Sequence, residues 1–328
     1  MTYGQATEAF EKLFRHELDD AQMRAFLVSM KLDETMPVET LAAAASVMRS
    51  YAVALPVSEE LRPELIDIVG TGGDKIGSFN ISSTVAILCA SMGCYVAKHG
   101  SRSVTSKSGS ADMFETLGVR LDLSLPQTAK LLEETGFTFM FAQNHHPAMK
   151  FIMPVRRSIP EKTIFNVLGP LTNPAGVGKI MLGVFDRSFV PKIAEALQIN
   201  NAKSAIVVSS KERMDEISIS DITYAAKVDE TGISEYEIDP SVYGIRRQPL
   251  EAIIGGDSAE NAQILKNIFD DRATEAQRDI VLINAANAFI VDGRARDIQD
   301  GLEMAREAVR SGKAKAKLAQ IIEVSSKL

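Results

Sequence analysis

The first 64 residues carry a helical pattern of apolar positions. Residues 6–18, 20–31 and 38–54 each repeat apolar side chains every three or four positions, which predicts three amphipathic helices. Asp20 is a candidate N-cap, and Pro37 lies near the start of the third helix, where proline is well tolerated. Their apolar faces are larger than three short helices bury among themselves, so we expect further helices or a second subunit to cover them.

From residue 65 onward, short apolar runs alternate with helical patterns, which predicts a mainly parallel sheet with helices on both faces. The fold class is therefore α/β, with a small all-helical N-terminal domain (1–64) and a larger α/β domain (65–328). The predicted strands are 66–69, 95–97, 137–142, 179–185 and 205–209, followed by a hairpin over 223–238 that turns at 229–232. The predicted helices are 81–92, 124–135, 148–157, 162–168 and 190–197, with more from about 258 to the end.

A glycine-rich loop follows the first strand. It contains Gly70, Gly72 and Gly73 and ends at Asp74, and Asn80 then starts a helix. Glycines let backbone N–H groups approach an anion, and the helix N-terminus adds partial positive charge at the same place. An acid in such a loop would repel phosphate, so Asp74 suggests a metal ion or a sugar hydroxyl nearby. The loop matches neither a Walker A sequence nor G-x-G-x-x-G.

The second strand brings more anion-binding groups to the same edge of the sheet. It delivers Lys98, His99 and Gly100, and a run of cations and hydroxyl residues follows it. The run contains Ser101, Arg102, Ser103, Thr105, Ser106, Lys107, Ser108 and Ser110.

Composition excludes several classes of protein. The 328 residues carry a formal charge of −7, which argues against a nucleic-acid binder. No apolar run reaches membrane-spanning length, and the first residues do not resemble a signal peptide. Cys89 and Cys94 lie in apolar surroundings, as expected for core thiols of a reducing, cytoplasmic environment.

Asp215 and Glu216 form an acidic pair between apolar runs. Such pairs are most often solvated loop charges. The anion-binding loop elsewhere in the chain favours another role, because carboxylates bind hard cations that share a phosphate group.

Together these motifs resemble the anthranilate phosphoribosyltransferase family. That family carries GTGGD, NIST, KHGNR and SKSGSAD, which correspond here to residues 70–74, 80–83, 98–102 and 106–112, with Ser83 in place of threonine. The resemblance continues through TIFNxLGPLxNP at 163–174, GGDxxENA at 255–262 and NAAxA at 284–288.

The resemblance implies transfer of the phosphoribosyl group of 5-phosphoribosyl 1-pyrophosphate (PRPP) to the amine of anthranilate, in tryptophan biosynthesis. It implies Mg²⁺, with two ions per subunit, held by Ser82, Asp215 and Glu216. It also implies a homodimer through the helical domain, to which helices from about 145–175 return. The residues it assigns to PRPP are Gly70, Gly73, Asp74, Ser78, Asn80, Ile81, Ser82, Ser83, Lys98, His99, Gly100, Arg102, Ser106 and Ser110.

The acceptor residues also follow from the resemblance. The family's PVR motif matches residues 154–156, so Arg156 would bind the anthranilate carboxylate, and His146 would line the acceptor channel with Gly70 and Ser101. His145 has no such match. We expect no general base or covalent nucleophile, because the aryl amine is neutral and displaces pyrophosphate directly.

Three positions depart from the family pattern: Ser101 replaces an asparagine, Lys75 a glycine and Lys162 an arginine. They bear on affinity and on the acceptor more than on the type of reaction.

Two alternative functions stay open. One is a pyrimidine nucleoside phosphorylase-like enzyme, which would lack the acidic pair and the PVR helix. The other is a non-catalytic nucleic-acid-binding homologue, which would need a basic surface.

Overall fold

The computed structural model describes residues 1–102 and 107–328. Its centre is one seven-stranded sheet in the order β3-β2-β1-β4-β5-β6-β7. The first five strands are mutually parallel, and the last two form an antiparallel hairpin at one edge. The strands are β1 (Leu65–Gly70), β2 (Tyr95–Gly100), β3 (Phe137–Phe141), β4 (Lys179–Gly183), β5 (Ser204–Ser210), β6 (Thr223–Asp229) and β7 (Gly232–Ile238). The predicted mainly parallel sheet and its closing hairpin are confirmed.

Fourteen α-helices are found in the described residues. They are α1 (Tyr3–Phe14), α2 (Asp20–Ser29), α3 (Val38–Ser50), α4 (Ile81–Ser91), α5 (Ser110–Leu117), α6 (Leu125–Thr135), α7 (Ala142–His145), α8 (Met149–Arg157), α9 (Phe165–Leu168), α10 (Val190–Ile199), α11 (Ser258–Phe269), α12 (Glu275–Asp292), α13 (Ile298–Arg310) and α14 (Lys313–Lys327). Among residues 1–102 and 107–328, none of these helices combines the length and apolar character that crossing a membrane requires.

The sheet separates two apolar cores. One core joins β1, β2 and β5 to α4, α11, α12, α13 and α14. The other joins the opposite face of the sheet to α10 and to the N-terminal helices. Burial on both faces explains why the central strands read as continuous apolar runs, as parallel strands do. Cys89 and Cys94 are buried, free thiols in the first core, as predicted.

Several helix boundaries differ from the prediction. The N-cap of α2 is Asp19, whose side chain accepts from the Gln22 N–H, so Asp20 is the first helical residue. The predicted helix over 162–168 is only Phe165–Leu168, because residues 162–164 pair with the chain after α2. The structure also contains α5, which was not predicted. The run of hydroxyl residues that leads into it is typical of a loop.

The segment before α9 is joined to the N-terminal helices by backbone pairing. Ile164 N donates to Met30 O at 2.9 Å, and Leu32 N donates to Lys162 O at 2.9 Å. Arg24 on α2 also donates to Ser158 O at 3.0 Å. Residues 158–164 therefore link α8 and α9 to the N-terminal helices, and the domain boundaries themselves stay a prediction.

Candidate active site

The glycine loop leaves the carboxyl end of β1, in the middle of the sheet. Gly72 and Gly73 have φ of 67° and 77°, values that glycine adopts without steric cost. Thr71 N donates to Gly183 O at 3.0 Å, which extends the pairing of β1 with β4 by one residue. The loop is thus fixed at its base and turns its next amide toward the acidic pair: Gly72 N donates to Asp215 Oδ2 at 2.7 Å.

The acidic pair joins the glycine loop to the start of α4. Asp215 receives the Gly72 amide, and Glu216 Oε1 accepts from Ser82 N at 3.0 Å. The two carboxylates accept from amides of different segments. Together they bring the β5–β6 connection, the glycine loop and the helix N-terminus to one place.

Carboxylates are crowded and buried at this place, and their pKa values are raised as a result. Burial, and then the nearby Asp74 carboxylate, raise the pKa of Asp215 to about 7. Burial and the Asp215 charge raise the pKa of Glu216 well above its usual value. Asp74 Oδ2 is buried without a hydrogen-bond partner in the described residues. The buried carboxylates of Asp215 and Glu216 therefore suit a bound cation, which would favour their charged forms.

The arrangement fits a cation that is shared with a ligand better than a ready-made protein cage. In the described part of the chain, no three His, Cys, Asp or Glu side chains converge as a complete metal site. Mg²⁺ is commonly held by one or two carboxylates together with substrate phosphates and water. The carboxylates of Asp215 and Glu216 and the Ser82 hydroxyl have that chemistry.

Two residues that sequence reasoning missed hold the acidic pair in place. A Cβ at Gly183 would lie 1.6 Å from the Asp215 carbonyl oxygen, so only glycine allows this approach of the β4 end. Asn284 on α12 accepts from Ile217 N and donates to Ile217 O, both at 2.9 Å. The signals in the sequence were a glycine at a strand end and an asparagine in an otherwise apolar helix.

Lys98 lies beneath this cluster. Its side chain is only 2% exposed, and Nζ donates to Ile68 O and to Ser82 Oγ, the latter at 3.3 Å. Burial lowers the pKa of Lys98, while the charges of Asp67 and Glu216 oppose that shift. Lys98 therefore contributes positive charge directly below the acidic pair.

The start of α4 is tied to neighbouring segments. Asn80 occupies the N-cap position but makes no side-chain cap; its Oδ1 instead accepts from Asn261 Nδ2 at 2.9 Å. Ser78 pairs with Ile254 in an isolated β-bridge. The amides of Ile81 and Ser83 lie in the first turn, where the helix dipole is most positive.

The residues that follow β2 contact α5. Arg102 forms ion pairs with Asp112, at 3.0 Å, and with Glu115. Ser110 Oγ donates to Ser101 O at 3.3 Å, and Ser101 is exposed. Ser106 lies outside the described residues. Arg102 is thus turned toward acids of α5 in this structure.

A second group of predicted residues lies at the β2 end and directly after α7. His99 and His146 are each 5% exposed, their ring centroids are 5.1 Å apart, and the Nε2 atom of each has no partner in the described residues. Burial lowers the pKa of His99 to about 3 and that of His146 to about 4. These shifts favour the neutral form of both rings, and each ring keeps one buried nitrogen without a hydrogen-bond partner in the described residues. His145 instead hydrogen-bonds Val53 O at 2.7 Å, a structural role.

Arg156 is a cation without an acidic partner. It lies on α8, with Cζ 5.7 Å from the Phe165 ring centre and Nη1 3.9 Å from the Met153 sulfur. No ion pair to it occurs among residues 1–102 and 107–328. Burial lowers its pKa. A partly buried guanidinium in this state is suited to a ligand carboxylate.

Comparisons with known proteins show which family this chain belongs to. The helical bundle domain of the glycosyl transferase family matches residues 1–52, and the α/β domain of that family matches residues 62–315. A protein of Xanthobacter autotrophicus named anthranilate phosphoribosyltransferase is 43% identical over 100% of this chain and 94% of its own length. This chain belongs to the anthranilate phosphoribosyltransferase family.

Other members of the anthranilate phosphoribosyltransferase family are similar to this chain over nearly its whole length. The Aquifex aeolicus relative is 41% identical over 94% of this chain and 90% of its own. The crystal structure of the Thermus thermophilus enzyme is 34% identical, with a TM-score of 0.92 over 99% of this chain and 96% of that one. The Saccharomyces cerevisiae enzyme in complex with PRPP and Mg is 28% identical, with a TM-score of 0.85 over 94% and 86% of the two chains. These likenesses confirm the fold class.

Proposed function

We propose that this chain transfers the phosphoribosyl group of PRPP to the amine of anthranilate, giving N-(5-phosphoribosyl)anthranilate and pyrophosphate, in tryptophan biosynthesis. The observation that carries the proposal is the carboxylate cluster of Asp74, Asp215 and Glu216, fastened to an anion-binding glycine loop and a helix N-terminus. The resemblance to a family member solved with PRPP and Mg supports it.

PRPP would lie over the glycine loop and the start of α4. The loop amides and the helix N-terminus favour its phosphates, and Lys98 adds positive charge from below. Arg102 would reach PRPP only by loosening its ion pairs with α5. We assign to PRPP Gly70, Gly73, Asp74, Ser78, Asn80, Ile81, Ser82, Ser83, Lys98, His99, Gly100, Arg102, Ser106 and Ser110.

Ser82, Asp215 and Glu216 would hold Mg²⁺, and we propose two ions per subunit. When bound, Mg²⁺ neutralises the charge of the leaving pyrophosphate. The chain supplies the carboxylates, already fixed by Gly72 N and Ser82 N, so little reorganisation is needed for binding.

Anthranilate would lie between the His99–His146 pair and Arg156, with Gly70 and Ser101 at the end toward PRPP. The guanidinium pairs with the carboxylate, and the neutral imidazoles accept from the amine without competing for its lone pair. The lone pair then attacks C1 of PRPP as the bond to pyrophosphate breaks, with inversion at C1, and the nitrogen loses a proton to the released pyrophosphate or to water. Because the aryl amine is neutral, positioning and charge stabilisation account for the rate without a covalent nucleophile.

Arg156→Ala should raise the KM for anthranilate about 10- to 100-fold while changing that for PRPP less than threefold. The lost interaction is a charged hydrogen bond in a partly desolvated site, worth about 1.5–3 kcal/mol. Initial rates with each substrate varied in turn measure both constants. Arg157→Ala, the exposed neighbour on α8, is the control and should change neither. An equal loss for both substrates would show that Arg156 is structural.

We also propose a homodimer formed through the helical domain. Tyr3 on α1, Val28 on α2 and Phe151 on α8 are 37%, 48% and 50% exposed, large apolar side chains on the domain's outer surface. Static light scattering should give twice the 35.7 kDa chain mass at micromolar concentration. Val28→Asp with Phe151→Asp should shift the protein toward monomer, and Val242→Asp, on the α/β domain, should not. A monomeric wild type would contradict the proposal.

We place the reaction in the cytoplasm, since two buried free thiols suit a reducing compartment.

An activity assay tests the proposed reaction against the phosphorylase alternative. The fluorescence of anthranilate should fall with time only when PRPP and Mg²⁺ are present. Thymidine with inorganic phosphate should give no free base. Phosphorolysis without loss of anthranilate would favour the nucleoside phosphorylase instead.

A further inference from the structure

The backbone pairing between β1 and β2 ends before the two strands do. Among the described residues it stops at Ile66 and Val96, whereas β1 pairs with β4, and β2 with β3, to the last residue of each strand. Residues 67–70 and 97–100 therefore face each other without a ladder, and we call this the β1–β2 gap. Ligands of parallel α/β sheets bind at the carboxyl ends of the strands, where this gap lies.

Two buried side chains reach backbone groups of β2 across the β1–β2 gap. Asp67 Oδ1 accepts from His99 N at 3.3 Å, and Asn173 Nδ2 donates to Ala97 O at 2.9 Å. A buried backbone N–H or C=O that has no partner destabilises a fold. These side chains therefore supply bonds that a continued ladder would otherwise make.

Asp67 and Asn173 also bond each other and together form a bridge, the Asp67–Asn173 bridge. Asn173 Nδ2 donates to Asp67 Oδ2 at 2.7 Å, and Asn173 Oδ1 accepts from Ala175 N at 2.9 Å. Asp67 is fully buried and Asn173 is 3% exposed. Burial raises the pKa of Asp67 to about 6, while the positive charge of Lys98 opposes that shift. The bridge thus joins β1, β2 and the chain that follows α9.

The chain that follows α9 also contacts the two histidines of the proposed acceptor site. Burial lowers the pKa of His99, and a hydrogen bond to the Gly169 backbone opposes that shift. The His146 ring is bonded in the same way to the Thr172 backbone. Asn173 comes directly after Thr172, so the bonds of its side chain across the β1–β2 gap fix this backbone relative to β2.

The Asp67–Asn173 bridge lies on the acceptor side of the sheet. Successive side chains of a strand point to opposite faces. Lys98 points toward α4, where Nζ donates to Ser82 Oγ at 3.3 Å, so His99 points toward the other face. Ala175, whose amide Asn173 bonds, belongs to the core of that other face. Loss of the bridge should therefore affect the acceptor side more than the PRPP side.

We propose that Asp67 and Asn173 are positioning residues for the acceptor: they bridge the β1–β2 gap and thereby set where the His99 ring lies. The inference rests on the proposed function, in which His99 and His146 receive anthranilate. Both residues act through His99 and not on the substrates themselves. A carboxylate suits position 67 because its two oxygens accept from two donors, the His99 amide and the Asn173 side chain.

Steady-state kinetics and a PRPP titration of the full-length protein test this role. Asn173→Ser removes both bonds that Asn173 Nδ2 makes, yet it leaves the charges of Asp67 and Lys98 in place. The KM for anthranilate should rise at least tenfold. The Kd for PRPP with Mg²⁺ should change less than threefold, because the glycine loop and the start of α4 hold PRPP.

A second variant repeats the test if the serine variant unfolds. Asp67→Asn keeps the shape of the side chain but has one acceptor oxygen for two donors, so it should give the same difference between the two constants. An equal rise in the anthranilate KM and the PRPP Kd would show that the bridge only supports the fold, and would overturn the proposal.

The matched control is Asp292→Asn, at the opposite end of the sheet. The Asp292 side chain is 4% exposed and accepts from Lys179 Nζ at 3.1 Å and from Arg294 Nε at 2.8 Å. This variant should lower the melting temperature and leave both constants within about twofold of wild type. An anthranilate KM raised as much as in Asn173→Ser would assign the effect to general destabilisation and would contradict the proposal.

A double-mutant cycle tests whether the bridge acts through His99. In a His99→Gln background, Asn173→Ser should raise the anthranilate KM less than threefold, because the ring that the bridge positions is gone. If the effects of the two changes are additive, Asn173 acts elsewhere and the proposal fails.

A measurement without substrates separates this inference from the proposed function. The chain has four histidines, so ¹H–¹⁵N spectra of the untagged protein labelled at its histidine rings contain four sets of ring signals. Asn173→Ser should shift the His99 signals and leave those of the exposed His16 unchanged. Unchanged His99 signals would overturn the positioning role. If wild type consumes no anthranilate, the proposed function fails, while these spectra still decide whether Asn173 positions His99.

Discussion

Asp215→Asn combined with Glu216→Gln should reduce kcat/KM by about a thousandfold or more and weaken PRPP binding at fixed Mg²⁺. The amides keep the shape of both side chains but remove the charge that holds a divalent cation at the leaving pyrophosphate. A thousandfold loss corresponds to about 4 kcal/mol of transition-state stabilisation, at about 1.4 kcal/mol per tenfold. The loss should not come from unfolding, since removing two negative charges relieves the burial cost, and then the repulsion, that raise the pKa of both groups.

Initial rates and a PRPP titration measure the two effects. Asp221→Asn is the matched control, because Asp221 lies on the same connection but pairs with the exposed Lys211 and Arg247. It should keep kcat/KM within about threefold of wild type. A double variant of the acidic pair with near-normal turnover would remove the metal assignment from Asp215 and Glu216.

Gly183→Ala should lower kcat/KM by about a hundredfold while leaving the protein folded. The new methyl would lie 1.6 Å from the Asp215 carbonyl oxygen, so the backbone that carries the acidic pair must move. Overpacking of this kind costs about 1–3 kcal/mol of stability, and a displacement of about 1 Å at a catalytic group can cost about a hundredfold in rate. The melting temperature and kcat/KM measure the two effects.

Gly178→Ala tests whether the effect is specific to the carboxyl end of β4. Gly178 precedes the same strand, and a methyl there meets only the side chain of Lys203, at 3.3 Å. It should be nearly neutral in both measurements. If Gly183→Ala behaves in the same way, Gly183 does not determine where Asp215 lies.

Features that depend on local chemistry could be predicted from the sequence. A mostly β-branched run, then three glycines within four positions, and then an asparagine before an apolar helix define a strand, a loop and a helix start. The sheet direction follows from the alternation of strands and helices. The prediction for α2 was wrong by one residue because Asp19 and Asp20 are equally good caps, and only the Gln22 capping box distinguishes them.

Features that depend on distant partners could not be predicted. Asn284 hydrogen-bonds Ile217, and the missing side chain of Gly183 allows the Asp215 backbone to approach. Both contacts join elements that are far apart in sequence. Arg102 reads as a phosphate ligand in the sequence, yet Asp112 and Glu115 on α5 bind it in the structure. We did not predict α5, because the hydroxyl residues before it favour turns and caps over helix interiors.

The candidate site also combines features that the sequence indicates with features that only the structure shows. The resemblance indicated Asp215 and Glu216 as metal ligands. The structure adds that the Gly72 and Ser82 amides hydrogen-bond them and that Lys98 lies nearby. A single spacing in sequence cannot report that three separate connections meet at one point. Nor can it report that Lys75 and Lys162, two departures from the family pattern, line one cavity.

The most direct measurement of the central claim follows both products of one reaction. The purified chain is mixed with anthranilate, PRPP and Mg²⁺, and anthranilate fluorescence and released pyrophosphate are recorded together. We predict that one pyrophosphate appears for each anthranilate consumed, and that EDTA stops both. Pyrophosphate release without loss of anthranilate, or no change in either, would contradict the account.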